Sequence, residues 1–507
     1  RWFKWSNRSL VINNSIKLKS HESIKGDNLE IKNGGIHLQG DNSRIELNKL
    51  IVNSEVGIKI SGNHNRVYID SIQGSYKNII VIDTGYCNQI DVDNATGGSG
   101  DGIQINGGIK NQIVVRRNLA GGRGNAIHIK DGIENKIYAV INNWSGNGIS
   151  VEDGRSNNIQ SQISGCQYGL KIIDSPNTYV SGVNISNCQK SGIFLKNLVN
   201  FQFGLFPAYK HHYGGSYCNI VNNKQHGIEG ANIRDGIFKS FNSTNNTGNG
   251  VYLHSGSSKN RIEGMFTIVG NKNGLVLKGN DTTNNKIIPD TFYDSFGMFS
   301  QNRENGLLFS QGTHGNYCHL ERSRIIHNGK YGLLLSGKGT SDNHIQLMVP
   351  GFIKDHYPLP RISNNQYGGV YIGEGAKNNL IRDGIIYGND GNGITINGVG
   401  TNFNSIQHCY IGGNETYNVD KSPPDSANQG YGIYVSNDAT GNNIFEIGLG
   451  VNLKGGIALN DIQDKPAGNN KSTSIYGIQG GATFNYLDNG YNQEFNQINV
   501  NCTGPAI

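Results

Sequence analysis

The feature that most constrains this chain is a short motif that recurs along nearly its whole length: glycine, an aliphatic residue, any residue and a second aliphatic residue. Clear copies begin at Gly35, Gly57, Gly102, Gly148, Gly169, Gly192, Gly250, Gly274, Gly306, Gly332, Gly369, Gly393, Gly432 and Gly456. Looser copies near Ile79, Ala126 and Gly227 bring the total to seventeen, and most copies lie 21 to 24 residues apart. A short period repeated this often is typical of a solenoid.

Within each copy apolar and polar residues alternate, which is the period of a strand and not of a helix. A second mark follows about ten residues later, asparagine, any residue and an aliphatic residue, as at Asn260–Ile262 and Asn379–Ile381. A coil of about 22 residues with three short strands and three polar corners accounts for both marks. Glycine and asparagine suit such corners because they accept positive φ at little cost. We therefore predict an all-β, right-handed, single-stranded parallel β-helix of about seventeen coils, with asparagines stacked in a ladder between coils.

The rhythm of the motif also divides the chain. We expect an N-terminal cap at 1–26, the β-helix at 27–460, and a C-terminal cap or oligomer contact at 461–507, where the repeat fades. The spacing lengthens at four places, which predicts inserted loops at 207–215, 289–295, 349–361 and 415–430. The first three follow the Asn-x-aliphatic strand, so we expect them to leave the same corner, and the fourth to leave the next one. Insertions on one edge of a solenoid often form its binding face.

Composition excludes several classes of protein. A hydrophobic content of 35% with 72 glycines is near the border of disorder, but a disordered chain does not repeat an aliphatic residue at a fixed phase. The net charge of +6 over 507 residues is too mild and too dispersed for nucleic-acid binding, and no apolar run is long enough to predict a membrane span. The seven cysteines are scattered singly, so we expect buried free thiols and neither a zinc site nor a redox pair. No other spacing predicts a metal or a cofactor.

The inserted loops are rich in tyrosine, histidine and aspartate. A tyrosine ring with its hydroxyl suits the apolar face and polar rim of a sugar. The residues that we expect to bind substrate from these segments are Tyr209, His212, Tyr293, Asp294, Asp355, His356, Tyr357 and Arg361. The alternative is that the loops pack against a neighbouring subunit.

Counting along the second strand of each coil predicts which residues point outward. If Ile233, Ile262, Ile287, Cys318, Ile345 and Ile381 point inward, the outward residues that follow them are Arg234, Glu263, Ile288, His319, Gln346 and Arg382. Two positions further along are Asp290 and Glu321. This counting predicts that Glu263, Asp290, His319 and Glu321 are catalytic, with Arg234 and Arg322 binding substrate.

The rung spacing decides which chemistry such a face can perform. Neighbouring rungs are about 4.8 Å apart, and paired carboxyl groups hydrolyse glycosides at about 5 Å in retaining enzymes or about 6.5–9.5 Å in inverting ones. A lyase acting on an acidic sugar needs instead a base, for which His319 or His356 is available, and a cation for the carboxylate, such as Arg322 or Arg361.

On the repeated motif and the Asn-x-aliphatic marks, the chain resembles the right-handed parallel β-helix proteins of the pectin-lyase-like class over roughly residues 27–460. Within that class it looks most like bacteriophage tailspike depolymerases. The resemblance implies a homotrimer on a virion tail, or an extracellular protein, that binds bacterial polysaccharide without a metal. The catalytic marks of plant-type polygalacturonases and the Asp-Pro-His-Glu mark of β-helix mannuronate epimerases are missing.

Three functions remain open from the sequence. The first is a depolymerase that cleaves a bacterial capsule or O-antigen, as an endo-glycosidase in preference to a lyase. The second is a carbohydrate-binding spike or adhesin of the same architecture that does not cleave. The third is another β-helix carbohydrate enzyme, a transferase or an epimerase.

Overall fold

The structure, a computed structural model, describes residues 2–6, 9–204, 218–289, 297–321, 323–347, 361–413, 427–445, 447–450, 452–459, 474–476 and 498–499. These residues form strands and turns only, so no helix among them is long and apolar enough to cross a membrane. The chain divides into a first unit, Arg1–Ile237, and a second unit, Phe238–Ile507. Each unit is a parallel β-solenoid, and the two together have about seventeen coils, which confirms the predicted fold class.

The strands of the first unit are β1 (Trp2–Lys4), β2 (Ser9–Leu18), β3 (Ser23–Leu38), β4 (Arg44–Ile60), β5 (Arg66–Asp83), β6 (Gln89–Thr96), β7 (Ile103–Asn106), β8 (Gln112–Ala120), β9 (Ile127–Lys130), β10 (Lys136–Asn142), β11 (Ile149–Glu152), β12 (Asn158–Ser164), β13 (Leu170–Ile173), β14 (Tyr179–Val180), β15 (Asn184–Ser186), β16 (Ile193–Val199), β17 (Gln202–Gly204), β18 (Cys218–Val221) and β19 (Ile228–Arg234).

The remaining strands are β20 (Ile237–Thr244), β21 (Val251–His254), β22 (Arg261–Val269), β23 (Leu275–Lys278), β24 (Lys286–Pro289), β25 (Gly297–Ser300), β26 (Leu307–Ser310), β27 (Tyr317–His319), β28 (Arg324–Ile326), β29 (Tyr331–Ser336), β30 (His344–Gln346), β31 (Arg361–Ser363), β32 (Gly368–Gly373), β33 (Leu380–Arg382), β34 (Ile385–Tyr387), β35 (Asn392–Asn397), β36 (Ser405–Gln407), β37 (Tyr410–Ile411), β38 (Tyr431–Ser436), β39 (Asn443–Phe445), β40 (Gly448–Leu449), β41 (Gly455–Leu459), β42 (Ser474–Tyr476) and β43 (Ile498–Asn499).

Each strand pairs in parallel with its counterpart one coil away, which gives three sheets. In the second unit the glycine motif forms the first sheet, for example β29, β32 and β35. The Asn-x-aliphatic mark forms the second sheet, for example β27, β30 and β33. The third sheet includes β28, β31 and β34. Where no insertion separates them, as in β22, the second and third strands of a coil form one continuous strand.

The aliphatic residue of each strand enters a column inside the coil. In the second sheet of the second unit this column consists of Ile262, Ile287, Cys318, Ile345, Ile381, Ile406 and Ile444, all with no exposed surface. Fully burying one such aliphatic side chain stabilises the fold by about 1.5–3 kcal/mol. A second interior column is aromatic, with Phe266 lying 6.0 Å from Phe241 and 5.5 Å from Phe299 between ring centroids. One coil alone buries only a few such residues, so stacking creates the core.

Buried asparagines connect the coils, as the sequence predicts. In the ladder at the corner after the third sheet, the backbone N–H of Asn302 donates to Asn328 Oδ1 at 3.2 Å, and the backbone N–H of Asn328 donates to Asn365 Oδ1 at 3.0 Å. The ladder continues to Asn389 and Asn428. A second ladder, before the second sheet, includes Asn260, Asn285, Asn316, Asn343, Asn379, Asn404 and Asn442. Each side chain therefore satisfies a buried N–H at a corner where no strand pairing is available.

The glycine of the motif is required for a reason that differs from the expected one. A Cβ at Gly332 would lie 2.4 Å from Ile362 Cγ2 and 2.9 Å from the Gly369 carbonyl oxygen. Glycine is therefore needed here because the next coil approaches too closely for a side chain. Positive φ occurs instead at corner residues such as Asn364, where φ is 56°.

The cysteines are free thiols, and five of the six in the described part of the chain are buried: Cys166, Cys188, Cys218, Cys318 and Cys409. Cys87 is half-buried, and Cys502 lies outside the described residues. Burial raises the pKa of the Cys409 thiol to about 12. These thiols therefore act as small apolar residues of the core.

Candidate active site

Outward positions in the second sheet of the second unit stack from one coil to the next. Glu263 lies beside Ile288, and because Ile287 lies beside Cys318, His319 takes the next place. The column then continues through Gln346, Arg382, Gln407 and Phe445. From Glu263 to Arg382 this is the column that counting along the sequence predicts.

Arg234 does not belong to this column, so its predicted place was wrong. It ends β19, a first-sheet strand of the first unit, and lies beside Val199 of β16. The error arises because the strand that begins at Ile228 continues as far as Arg234, so Ile233 is not a second-sheet residue.

Glu263 belongs to a local group of charges. Its carboxylate lies 2.6 Å from the Arg261 guanidinium and 3.7 Å from the Lys239 ammonium, and its side chain is only 15% exposed. Both cations therefore contact this carboxylate. Arg261 lies on the same strand as Glu263, β22, and Lys239 lies on the paired strand, β20.

His319 and Glu321 are adjacent, as predicted. His319 Nε2 lies 3.6 Å from Glu321 Oε2, and both side chains are about a quarter exposed or less. The Tyr317 hydroxyl lies 3.5 Å from His319 Nδ1 and donates a hydrogen bond to Gln346 Oε1 at 3.1 Å. Burial raises the pKa of the Tyr317 hydroxyl, so the phenol keeps its proton at neutral pH.

His344, on the next coil, faces Tyr317 edge to face with a centroid distance of 5.1 Å. Burial lowers the pKa of His344, the Arg382 charge lowers it further, and Asp383 opposes both. The His344 Nε2 atom is buried and makes no hydrogen bond within the described part of the chain. The ring is therefore held as a neutral imidazole with one nitrogen unused.

Asp383 anchors the cationic end of this group. Its side chain is 5% exposed, and its Oδ2 atom accepts hydrogen bonds from Arg382 Nε at 2.8 Å and from Gln346 Nε2 at 3.0 Å. His408 Nδ1 lies 3.5 Å from the other carboxylate oxygen. Asp383 is a corner residue with φ of 58°, which allows its side chain to reach back along the face. We name Tyr317, His319, His344, Gln346 and Arg382 the Tyr–His–Arg cluster.

Several predicted site residues lie elsewhere or outside the described residues. Arg361 begins β31 in the third sheet, beside Arg324 and Ile385, and donates to the Tyr387 hydroxyl at 3.0 Å. The predicted residues outside the described part are Tyr209, His212, Asp290, Tyr293, Asp294, Arg322, Asp355, His356 and Tyr357.

Sequence counting missed Tyr317 and His344 as site residues, although the signal was present. It considered only the residue after the inward aliphatic, but in a strand the residue before it points outward as well. Tyr317 and His344 are those preceding residues at Cys318 and Ile345. Asp383 lies beyond the strand, and no alternation pattern predicts its place.

Among the described residues, two clefts share no lining residue with the cluster. One, of about 380 Å³, is in the second unit and is lined by His327, Asn364, Gln366, Gly388, Asp390 and Gln429. The other, of about 540 Å³, is in the first unit, and Tyr76, Lys77 and Arg123 are among its lining residues. No group of three or more histidine, cysteine, aspartate or glutamate residues within the described ranges is arranged to hold a metal ion.

Among solved structures, the chain is similar to the Dettilon tailspike protein, with 17% identity and a TM-score of 0.26 over 66% of this chain and 58% of the tailspike. Less than two thirds of the tailspike's own length is thus matched. It is also similar to a periplasmic alginate epimerase (11% identity, TM-score 0.27, 85% of this chain and 77% of the epimerase). A third is a mannuronan C-5 epimerase module of Azotobacter vinelandii (13% identity, TM-score 0.24, 92% of this chain and 90% of the module).

The sequence matches no protein-family profile. No curated protein matches it. Because the TM-scores are low, the fold assignment rests on the strand register of the chain itself and not on these superpositions.

Proposed function

We propose that this protein is a polysaccharide depolymerase that cleaves an acidic bacterial surface glycan by elimination at the Tyr–His–Arg cluster. The observation that supports this best is the half-buried, neutral His344 ring beside a protonated Tyr317 and an Arg382 anchored by Asp383. A base, a proton donor and a cation on one face are the groups that elimination from a uronic acid requires.

The residues have complementary roles in this proposal. Arg382 binds the uronate carboxylate and stabilises the negative charge that develops on it. The His344 imidazole takes the proton from the carbon next to that carboxylate, while the Tyr317 hydroxyl gives its proton to the leaving sugar oxygen. The carbon–oxygen bond breaks as a carbon–carbon double bond forms, and the imidazolium returns its proton to the phenolate when the product leaves. His319 and Gln346 hold the Tyr317 hydroxyl in place.

The test is incubation with purified capsular and lipopolysaccharide glycans, following chain length by size exclusion and the far-ultraviolet absorbance of the new double bond. His344→Gln is expected to lower turnover by about 10²–10⁴-fold, the usual contribution of a general base. The control is His314→Gln, since His314 is an exposed corner residue that contacts the Gly312 carbonyl. Unchanged turnover in His344→Gln would refute the elimination mechanism.

Hydrolysis is the second candidate, favoured by the shared outward face of Glu263 and Glu321. His319 is two rungs from Glu263, about 9.6 Å, and Glu321 lies next to His319. A separation of two rungs is near the upper end of the distance between the two carboxyl groups in inverting glycosidases. Shortening of the glycan without new absorbance, abolished by Glu263→Gln and by Glu321→Gln, would establish hydrolysis instead.

The setting we propose is the one implied by the sequence resemblance: a homotrimeric spike on a virion tail or another extracellular location. Sedimentation equilibrium of the full chain tests the trimer directly. Tight binding of one glycan without shortening of any would make the protein an adhesin.

A further inference from the structure

A row of tyrosines lies on the first sheet of the second unit, a different sheet from the one that carries the Tyr–His–Arg cluster. Its members are Tyr331, Tyr367, Tyr371, Tyr431 and Tyr434, and we name them the tyrosine stripe. They occupy β29, β32 and β38 and the residue that precedes β32. Tyr367 is 59% exposed, and the other four are half-buried.

Strand register fixes the rungs on which these rings lie. Leu334 lies beside Tyr371, Tyr371 beside Thr395, and Thr395 beside Tyr434. Tyr371 and Tyr434 are therefore two rungs apart, about 9.6 Å, with only the small Thr395 side chain between them. The result is a shallow interval bounded by an aromatic ring on each side.

The rings also contact one another in pairs. Tyr331 lies 5.0 Å from Tyr371 and 6.0 Å from Tyr367 between centroids, and Tyr431 stacks on Tyr434 at 5.6 Å with an interplanar angle of 10°. Each pair restricts the motion of its rings, so a ligand that stacks on them orders few additional rotamers.

Amide and hydroxyl groups lie between the rings. Asn397 Nδ2 donates to the Tyr371 hydroxyl at 3.0 Å, and Asn392 Nδ2 donates to Thr395 Oγ1 at 3.1 Å. Flat rings alternating with neutral hydrogen-bonding groups complement a sugar ring, which has apolar C–H faces and hydroxyls around its edge. The side chains of Asn392, Thr395 and Asn397 are uncharged, in contrast to the cationic Arg382 of the cluster.

We propose that the tyrosine stripe is a second glycan-binding surface, which holds neutral sugar units by stacking on Tyr371 and Tyr434. Its function is to bind and not to cleave. The proposal depends on the proposed function only in its choice of a glycan as the ligand, and it stands whether or not the cluster cleaves by elimination.

The test uses the full chain in affinity gel electrophoresis, with dextran, galactomannan, a soluble β-glucan and the purified neutral bacterial glycans as separate immobilised probes. The wild-type protein is expected to be retarded by at least one probe. Tyr371→Ala combined with Tyr434→Ala should weaken that retardation roughly tenfold, because two stacking contacts are lost. Tyr434→Ala alone, whose side chain makes a ring contact only, is the second variant and should weaken it by roughly threefold.

The matched control is Tyr138→Ala, since Tyr138 is a half-buried outward tyrosine of the first unit. It should bind each probe like the wild type. Wild-type protein that none of the probes retards, or equal retardation of the wild type and the double variant, would overturn the proposal. A double variant that loses oligomeric state while binding glycan normally would also overturn it, by showing that the stripe is a contact between copies of the chain. The cleavage assay with His344→Gln is read separately, so failure of one proposal does not mimic failure of the other.

Discussion

Replacing Asn328 by alanine is the sharpest test of how the coils are held together. Asn328 has no exposed surface, and its Oδ1 atom accepts from the Asn302 N–H at 3.2 Å and from Asn302 Nδ2 at 3.0 Å. Its Nδ2 group donates to the Phe299 carbonyl at 3.1 Å and to Asn365 Oδ1 at 2.9 Å. The substitution therefore removes four hydrogen bonds at one buried corner.

The expected cost follows from which groups are left without a partner. The Asn302 N–H has no other acceptor among the described residues and remains buried, at a cost of about 1–3 kcal/mol. The Asn302 side-chain amide keeps its hydrogen bond to the Ile268 carbonyl, and Asn365 Oδ1 still accepts from the backbone N–H of residue 328. Each of the other three lost hydrogen bonds therefore costs about 1 kcal/mol. Because neighbouring terms are not additive, we expect Asn328→Ala to destabilise the protein by about 3–5 kcal/mol in total.

The assay is guanidinium unfolding combined with amide hydrogen exchange of peptides that contain Asn302. Since coils contact only their neighbours, faster exchange should be concentrated in the coils next to residue 328. The control is Asn280→Ala, an exposed turn residue, which should change stability by less than about 0.5 kcal/mol. A loss below about 1 kcal/mol for Asn328→Ala, or unchanged exchange at Asn302, would refute the account of the ladder.

Three further predictions concern pH, close packing and thiols. The folded-state pKa of His344 is below 6.5, so as pH falls the unfolded chain binds the proton first, and the free energy of unfolding declines from about pH 6.5 downward to the folded pKa. His344→Gln should reduce this decline when melting is measured as a function of pH. The acid limb of the pH profile of kcat/KM should lie below pH 6.5. Gly332→Ala should lower the free energy of unfolding by about 1–3 kcal/mol, since its Cβ meets the next coil, and a wild-type unfolding midpoint would contradict the close approach. Among the described cysteines, a thiol reagent should label only Cys87 in the native protein and all of them after unfolding; rapid native labelling of Cys318, which has no exposed surface, would disprove its burial.

Part of the candidate site was available from alternation alone. The sequence places Glu263, His319, Gln346 and Arg382 in one outward column, because each follows an inward residue that repeats at a fixed phase. The same rule applied in the other direction would have found Tyr317 and His344. Counting by alternation placed Arg234 wrongly. In sequence, one strand that continues through a corner looks the same as two strands with a corner between them.

The sequence by itself determined that this chain is a parallel β-solenoid with an aliphatic interior and asparagine ladders, since a motif repeated at a fixed phase forces each coil to stack on the last. Only the tertiary structure decided that Asp383 reaches back to hold Arg382 and Gln346, that Lys239 lies beside Glu263, and that five tyrosines form one stripe. The physical reason is that periodicity fixes the face on which a strand residue lies. Corner geometry and coil length, which vary from coil to coil, fix which side chains on that face meet.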